Sequence, residues 1–99
     1  MKIIAFDKFK ISLEESHKVQ LLLKDESKHA WELYKKGTFR ELYFRTDHPE
    51  AVVILECENV DEAKKIMSEL PLVKAGYIDF EYIPVGPFIP FENLFGSSI

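Results

Sequence analysis

Cysteine and long apolar segments are scarce in this sequence. Cys57 is the only cysteine, so an internal disulfide is impossible. No apolar run approaches the roughly 20 residues of a membrane helix, and the N-terminal run is too short for a signal peptide. These absences predict a soluble protein with no membrane partner, and the lone thiol suits the reducing cytoplasm, which is the predicted location.

A basic stripe is also missing. The net charge is −4, and the short basic clusters, Lys8 with Lys10 and Lys35 with Lys36 and Arg40, stand among acids. A nucleic-acid surface needs clustered lysine and arginine to meet the phosphates. The clusters are therefore interpreted as solvated faces, and no nucleic-acid partner is expected.

Motifs for metals, phosphates and nucleophiles are absent as well. His17, His29 and His48 lie far apart, and no His-x₃-His or Cys/His spacing occurs. No glycine-rich phosphate loop and no nucleophile elbow is present. We therefore predict no metal and no cofactor, and hydrolase chemistry and nucleotide binding are disfavoured. Cys57 follows a buried strand, where an inert core thiol is expected.

Hydrophobic periodicity predicts the element order β-α-β-β-α-β. The predicted strands are Ile3–Phe9, Thr38–Thr46, Ala51–Glu56 and Tyr77–Ile83. The first predicted helix is Leu13–Lys36, with Ser12 and Glu15 as a capping box at its start and Gly37 as the stop after its end. The second predicted helix begins after Asn59 and ends at Leu70-Pro71. This order is the ferredoxin-like split βαβ pattern, an α+β sandwich with both helices on one face of an antiparallel sheet. It predicts a single domain over residues 1–99.

The first and third strands are apolar on both faces. Ile4 and Phe6 oppose Ile3 and Ala5 in the two-residue period of a strand. A sheet with an apolar back needs a partner, so we predict two sheets packed back to back in a dimeric α+β barrel, with the chain itself as partner. The arm 84–99 is rich in proline and aromatic residues, and we expect it to be non-helical and to lie across the partner subunit.

Two segments resemble the muconolactone isomerase family. Gly37-Thr38-Phe39-Arg40-Glu41-Leu42-Tyr43-Phe44-Arg45 resembles its Gly-x-x-Arg-x-Leu-aromatic-x-Arg segment, and Leu70-Pro71-Leu72 with Asp79-Phe80-Glu81 resembles its Leu-Pro-Leu and Asp-Ile-Glu segment. The resemblance covers roughly Ala30 to Pro84. It implies a dimeric α+β barrel and cofactor-free proton transfer on a small unsaturated lactone. The tail from Pro84 to Phe88 departs from the family's polar, histidine-containing stretch.

Moving a proton between carbons needs a base near the C–H bond and a positive group near a carboxylate or enolate. Within the family-like segment, Arg45 and Arg40 are the predicted partners of a ligand carboxylate, and Glu41 is the candidate base. Glu41 and Arg45 are thus the predicted catalytic pair. Phe39, Glu41, Tyr43 and Arg45 are predicted to share one face of the second strand. The alternative is that Arg45 pairs with an acid of the other subunit and Arg40 lies in solvent.

Three further aromatic or imidazole groups complete the predicted ligand site, together with Tyr43. Trp31 and Tyr34 end the first helix and can line a slot between helix and sheet, or pack in the core. His48 lies in the turn before Pro49, where it can rim a pocket or face solvent. The predicted function is that of a muconolactone-isomerase-like small-molecule protein, an isomerase without cofactor that acts on a small unsaturated lactone or carboxylate. The alternatives are a non-catalytic ligand-binding or assembly protein, and a cofactor-free monooxygenase.

Overall fold

The computed structural model describes residues 1–9, 16–47 and 49–96. Its elements in chain order are β1 (Lys2–Phe9), α1 (Ser16–Lys35), β2 (Phe39–Phe44), β3 (Ala51–Glu56), α2 (Val60–Met67), α3 (Pro71–Lys74), β4 (Ile78–Val85) and a C-terminal 3₁₀ helix (Ile89–Phe95). No helix among these residues is long and apolar enough to cross a membrane.

The four strands form one antiparallel sheet in the order β2-β3-β1-β4. This is the predicted ferredoxin-like α+β arrangement, and the prediction is confirmed. The two central strands are β1 and β3, and the two strands that carry the family-like segments, β2 and β4, are the edges. Because the edge strands are not neighbours, their polar side chains do not meet within one chain.

One face of the sheet packs under the helices. Ile3 and Ala5 of β1 stand opposite Leu55 and Val53 of β3, and all four are buried. The helices close over them with a set of buried apolar side chains: Val19 of α1, Ala63 and Met67 of α2, and Leu72 of α3. The alternation of β1 therefore positions its next inward residue, Asp7, on the same covered face.

The other face of the sheet has an apolar centre. Ile4 pairs with Ile54 of β3 and Ile83 of β4, and Phe6 pairs with Val52. These side chains are half-buried, apart from Ile83, which is exposed. The face assignment predicted for β1 matches the observed burial. No helix of the described chain covers this back face.

A β-bulge in β2 corrects one predicted face. Phe39 pairs with Leu55, and Glu41 pairs with Ile54, so Arg40 is an extra residue between two adjacent partners. The extra residue reverses the alternation at that point. Phe39 therefore faces the helices, with 1% of its surface exposed, and the prediction that it shares a face with Glu41 was wrong.

Glycine and proline mark the helix ends. Gly37 follows α1 with φ +84°, and the amides of Gly37 and Thr38 donate to the carbonyls of Tyr34 and Leu33, which is a Schellman motif. The predicted stop at Gly37 is confirmed. The capping box predicted at Ser12 and Glu15 lies outside the described residues.

The second helix begins as predicted but ends earlier. Asn59 Oδ1 accepts the Glu62 amide at 2.8 Å and caps the N-terminus of α2. This helix ends at Met67, three residues before the predicted end at Leu70-Pro71. Pro71 instead opens the short helix α3. A proline fits there because the first turn of a helix needs no amide partner.

The C-terminal arm contains a helix that the sequence did not predict. Ile89–Phe95 forms a 3₁₀ helix with Pro90 near its start, a position at which the missing proline amide costs nothing. The arm extends away from the sheet and helices, and the molecule is therefore elongated. It measures 58 × 29 × 21 Å, and its radius of gyration is 16.3 Å. A compact domain of about 100 residues has a radius of gyration of about 13 Å.

Candidate functional site

A cleft of about 560 Å³ lies between α1 and the core face of the sheet. It sits where β1 ends and β4 begins, so that Asp7, Ile78 and Phe80 contribute to it. The remaining lining residues are Val19, Leu23, Glu26, Ser27, Ala30, Trp31, Tyr34, Phe39, Leu42, Tyr43, Phe44, Ala51, Val53, Leu70 and Leu72. Most of these side chains are apolar or aromatic, so the walls suit a small apolar or aromatic molecule.

Two aromatic rings of α1 stack beside the cleft. Trp31 and Tyr34 are three residues apart on the last turns of the helix, and their ring centroids are 5.7 Å apart with 26° between the planes. They are 57% and 46% exposed. The structure therefore places both rings along the slot between helix and sheet and not in the core, although their contact with a ligand stays a prediction.

Asp7 lies at the end of the central strand β1, with 5% of its surface exposed. Its Oδ1 accepts a hydrogen bond from the Ala51 amide at 2.7 Å. Burial raises the pKa of Asp7 to about 6, and the nearby charges of Glu50 and Glu26 add to this rise, while the Ala51 hydrogen bond opposes it. Asp7 is therefore a carboxyl group that changes protonation near neutral pH.

Glu26 reaches the same cleft from α1. Its Oε1 accepts a hydrogen bond from the Leu72 amide at 3.0 Å, an amide in the first turn of α3 that has no partner inside its helix. Burial raises the pKa of Glu26, against the opposing effects of the Leu72 hydrogen bond and the His29 charge. Two carboxyl groups that favour protonation thus face one apolar cleft from opposite walls.

The sequence reasoning missed both carboxyl groups, although each has a visible signal. Asp7 is in phase with the core residues Ile3 and Ala5, and an acid on a buried strand face is unusual. Glu26 is seven residues after Val19 and four before Ala30, which places it on the inward stripe of α1. It lies in the polar segment Lys24-Asp25-Glu26-Ser27-Lys28, and this concealed its phase.

Of the predicted catalytic pair, Glu41 lies on the edge strand β2 and Arg45 directly after it, and neither is among the residues that line the cleft. Arg45 Nε donates to Asp47 Oδ1 at 2.9 Å, and its Nη1 is 4.0 Å from Glu50 Oε2. The Asp47 hydrogen bond raises the pKa of Arg45. Glu41 accepts a hydrogen bond from the Tyr43 hydroxyl. The structure thus joins Arg45 to acids of its own chain, and the catalytic role of the pair stays a prediction.

The other predicted ligand residues are dispersed. Arg40 stands in the bulge, where its guanidinium approaches Gly37, and it is not one of the cleft residues. Tyr43 does line the cleft edge, and the Glu41 hydrogen bond raises the pKa of its hydroxyl. His48 lies outside the described residues.

The described residues contain neither a group of metal ligands nor a thiol with raised reactivity. Within residues 1–9, 16–47 and 49–96, no group of three His, Cys, Asp or Glu side chains comes together as a metal site. The thiol of Cys57 is buried and donates to the Asn59 carbonyl at 3.5 Å. Burial raises the pKa of this thiol, which lowers its reactivity.

Comparison with solved structures gives a clear match. A crystal structure of muconolactone isomerase at 3.3 Å resolution matches with a TM-score of 0.74, covering 88% of this chain and 90% of that chain. The chain has a muconolactone isomerase-like fold. The sequence identity is 23%, so the match establishes the fold. No protein-family model and no curated protein sequence matches the chain.

Proposed function

We propose that this muconolactone isomerase-like chain moves a proton within a small unsaturated lactone bound in the cleft between α1 and the sheet. The observation that carries the proposal is the pair of the buried Asp7 and the half-buried Glu26, two carboxyl groups with raised pKa values on one apolar cleft. Groups whose pKa values are shifted toward neutrality by burial are suited to general acid and base catalysis. The fold match supports the same class of reaction.

The two carboxyl groups can divide the reaction between them. One carboxylate removes a proton from a ring carbon next to the C=C bond, and the electron pair moves to the lactone carbonyl oxygen, which gives an enolate. The second carboxyl group, protonated, donates a hydrogen bond to that oxygen. The first carboxylic acid then returns its proton to another carbon of the delocalised system. Atoms and charge balance without any cofactor.

The size and walls of the cleft support a small ligand. Its volume of about 560 Å³ lies within the range of about 300 to 1,000 Å³ that is common for ligand pockets. The stacked rings of Trp31 and Tyr34 offer a flat surface for an unsaturated ring. The apolar walls also strengthen hydrogen bonds to an enolate oxygen, because the effective dielectric constant beside them is lower than in water.

Glu41 and Arg45 form the second candidate for the catalytic pair, with Arg40 and His48 as ligand contacts. In this alternative Arg45 would release Asp47 and turn toward a ligand carboxylate. It is less favoured because none of the three described residues lines the cleft, and because the raised pKa of Arg45 comes from its existing acid partner.

Self-association is part of the proposal. The back face of the sheet has an apolar centre at Ile4, Phe6, Val52 and Ile54, and charged pairs such as Lys8 with Glu81 border it. A second copy packed on this face would form the dimeric barrel. The arm supplies a second contact, because Phe88, Ile89, Phe91, Leu94 and Phe95 are 55–82% exposed. We also place the chain in the cytoplasm, where Cys57 would stay reduced.

The experiment is hydrogen exchange with solvent. Purified protein in D₂O is incubated with a panel of unsaturated five-membered lactones, muconolactone included, and ¹H NMR follows deuterium uptake at the ring carbons and the appearance of the isomer. The proposal predicts exchange faster than in a protein-free blank. Binding without any exchange would contradict catalysis and favour the alternative of a ligand-binding protein. Oxygen consumption would instead favour the monooxygenase alternative.

A further inference from the structure

Among the residues that the structure describes, the charged side chains on the cleft wall are all of one sign. Among the described residues that line it, Asp7 and Glu26 are the ones that carry ionisable acid or base groups other than tyrosine, and both are acids. We infer that the cleft selects an uncharged ligand, a neutral unsaturated lactone or ester, over one that carries a carboxylate. The inference rests on the proposed function for the site and names its substrate class.

The position of Asp7 explains why a ligand carboxylate would be disfavoured. Its Oδ1 is held by the Ala51 amide, and within the described residues Oδ2 makes no hydrogen bond. No buried side-chain oxygen or nitrogen is left unsatisfied among those residues, and Asp7 is one of the residues that line the cleft. A ligand carboxylate would meet this oxygen in an apolar environment, where repulsion between like charges is strong. A neutral carbonyl or ester group would accept a hydrogen bond from the protonated acid.

The charges around the pair do not reverse this balance. Glu50 acts on Asp7 as a second negative charge, and the cation next to it, Arg45, also pairs with Asp47. On α1, His29 acts on Glu26. Among the described residues, the cationic groups beside the pair are therefore the imidazole of His29 and the guanidinium of Arg45, and neither residue lines the cleft.

The C-terminal arm would add no cation if a second copy covered the cleft with it. From Pro84 to Ile99 the sequence contains one charged residue, Glu92, and no lysine, arginine or histidine. Its exposed large side chains are the aromatic ring of Phe88 and the aromatic and aliphatic groups of the 3₁₀ helix. Cover by the arm would make the site drier and would strengthen the preference for an uncharged ligand.

The test uses two ligands that differ in one charge: muconolactone and its methyl ester. Isothermal titration calorimetry measures the Kd of each at pH 7.5 and pH 5.5, and ¹H NMR in D₂O separately measures exchange. We expect the ester to bind at least tenfold more tightly at pH 7.5. The ratio of the two Kd values should narrow at pH 5.5, because Asp7, whose pKa is about 6, is then mostly protonated and its share of the repulsion is removed.

Variants identify the source of the preference. Asp7→Asn should narrow the ratio at pH 7.5 toward its value at pH 5.5, while Asp25→Asn, the same change on the exposed side of α1, should leave the ratio as in the wild type. Equal or tighter binding of the acid would overturn the inference, as would an Arg45→Ala variant that weakens the acid alone. No binding of either ligand would also overturn it.

The two claims can fail separately. If the ester binds preferentially but neither ligand exchanges hydrogen with solvent, the proposed reaction is contradicted and the selection for an uncharged ligand stands. If muconolactone binds at least as tightly as its methyl ester and exchanges hydrogen with solvent, the selection is contradicted and the proposed reaction stands.

Discussion

The carboxyl group of Asp7 and the backbone amide of Ala51 are joined by a hydrogen bond of 2.7 Å. It connects the end of the central strand β1 to the first residue of β3, at the floor of the cleft. The bond fixes the orientation of a buried acid that lines the cleft. Fixed orientation is what a group needs in order to transfer a proton to a bound ligand.

Asp7→Asn should make the protein more stable at pH 7.5, by about 1 to 3 kcal/mol. The pKa of Asp7 is raised from 3.8 to about 6 in the folded chain, so the folded state binds more protons between these values. The stability contributed by Asp7 is therefore complete below about pH 3.8, decreases as the pH rises toward 6, and stays low above it. The asparagine is never ionised, and its amide oxygen can still accept the Ala51 hydrogen bond.

Urea denaturation at pH 7.5 and pH 4.5 measures this effect. The gain of Asp7→Asn over the wild type should shrink at pH 4.5, where Asp7 is mostly protonated. Asp25→Asn, which removes an exposed carboxylate from α1, should change the free energy of unfolding by less than about 0.5 kcal/mol at both values. A destabilised Asp7→Asn variant at pH 7.5 would show that the ionised carboxylate supports the fold.

Gly37→Ala should destabilise the protein by about 1 to 2 kcal/mol. Gly37 ends α1 with φ +84°, a backbone region that residues with a Cβ atom rarely occupy. The turn also sets the direction of β2 after the aromatic pair of α1. Thermal unfolding followed by circular dichroism measures the loss. Gly86→Ala is the matched control, because Gly86 has no positive φ and no atom within 4 Å of an added Cβ, and little change is expected there.

Ala30→Phe should weaken ligand binding at least tenfold. Ala30 is half-buried on the inward stripe of α1 and lines the cleft, so a phenyl ring there would take up space that the ligand needs. Titration with the methyl ester of muconolactone, followed by the fluorescence of Trp31, the sole tryptophan in the sequence, measures the change. Lys28→Phe places the same ring on the exposed side of α1 and should preserve binding. Unchanged affinity of Ala30→Phe would place the ligand elsewhere.

Ile54→Lys should prevent self-association through the back of the sheet. Ile54 stands opposite Ile4 at the apolar centre of this face, and a buried lysine without a partner is costly. Sedimentation velocity should show a dimer or larger species for the wild type and for Ile54→Val, and a monomer for Ile54→Lys. Deletion of residues 87–99 tests the arm in the same way. A wild type that sediments as a monomer at micromolar concentration would contradict the dimer.

Much of the architecture was accessible from periodicity and capping residues. The alternation of Ile3, Ala5 and Ile4 indicated the two faces of β1, and Asn59 with Glu62 marked the start of α2. The element order and the two family-like segments indicated the fold. These features are local, and each follows from the period of a strand or from the unpaired amides at a helix end.

The site was less accessible, because it depends on contacts between distant segments. The bulge at Arg40 reverses the face of Phe39 and has no marker in the sequence. The importance of Asp7 comes from its burial and from the amide of Ala51, 44 residues later. The importance of Glu26 comes from its hydrogen bond with the amide of Leu72, which is 46 residues away. The sequence reasoning favoured the exposed Glu41 and Arg45 because the motif that contains them is visible in the sequence. The burial of Asp7 and the partial burial of Glu26 are not visible there.

Solvent exchange by three variants tests the central claim most directly. The rate of deuterium uptake into the methyl ester of muconolactone is measured by ¹H NMR for the wild type, Asp7→Asn, Glu26→Gln and Glu41→Gln. The proposed mechanism predicts that Asp7→Asn and Glu26→Gln each lose about 10²- to 10⁴-fold in rate, while Glu41→Gln exchanges within about threefold of the wild type. A large loss in Glu41→Gln together with near wild-type rates in the two cleft variants would contradict the account.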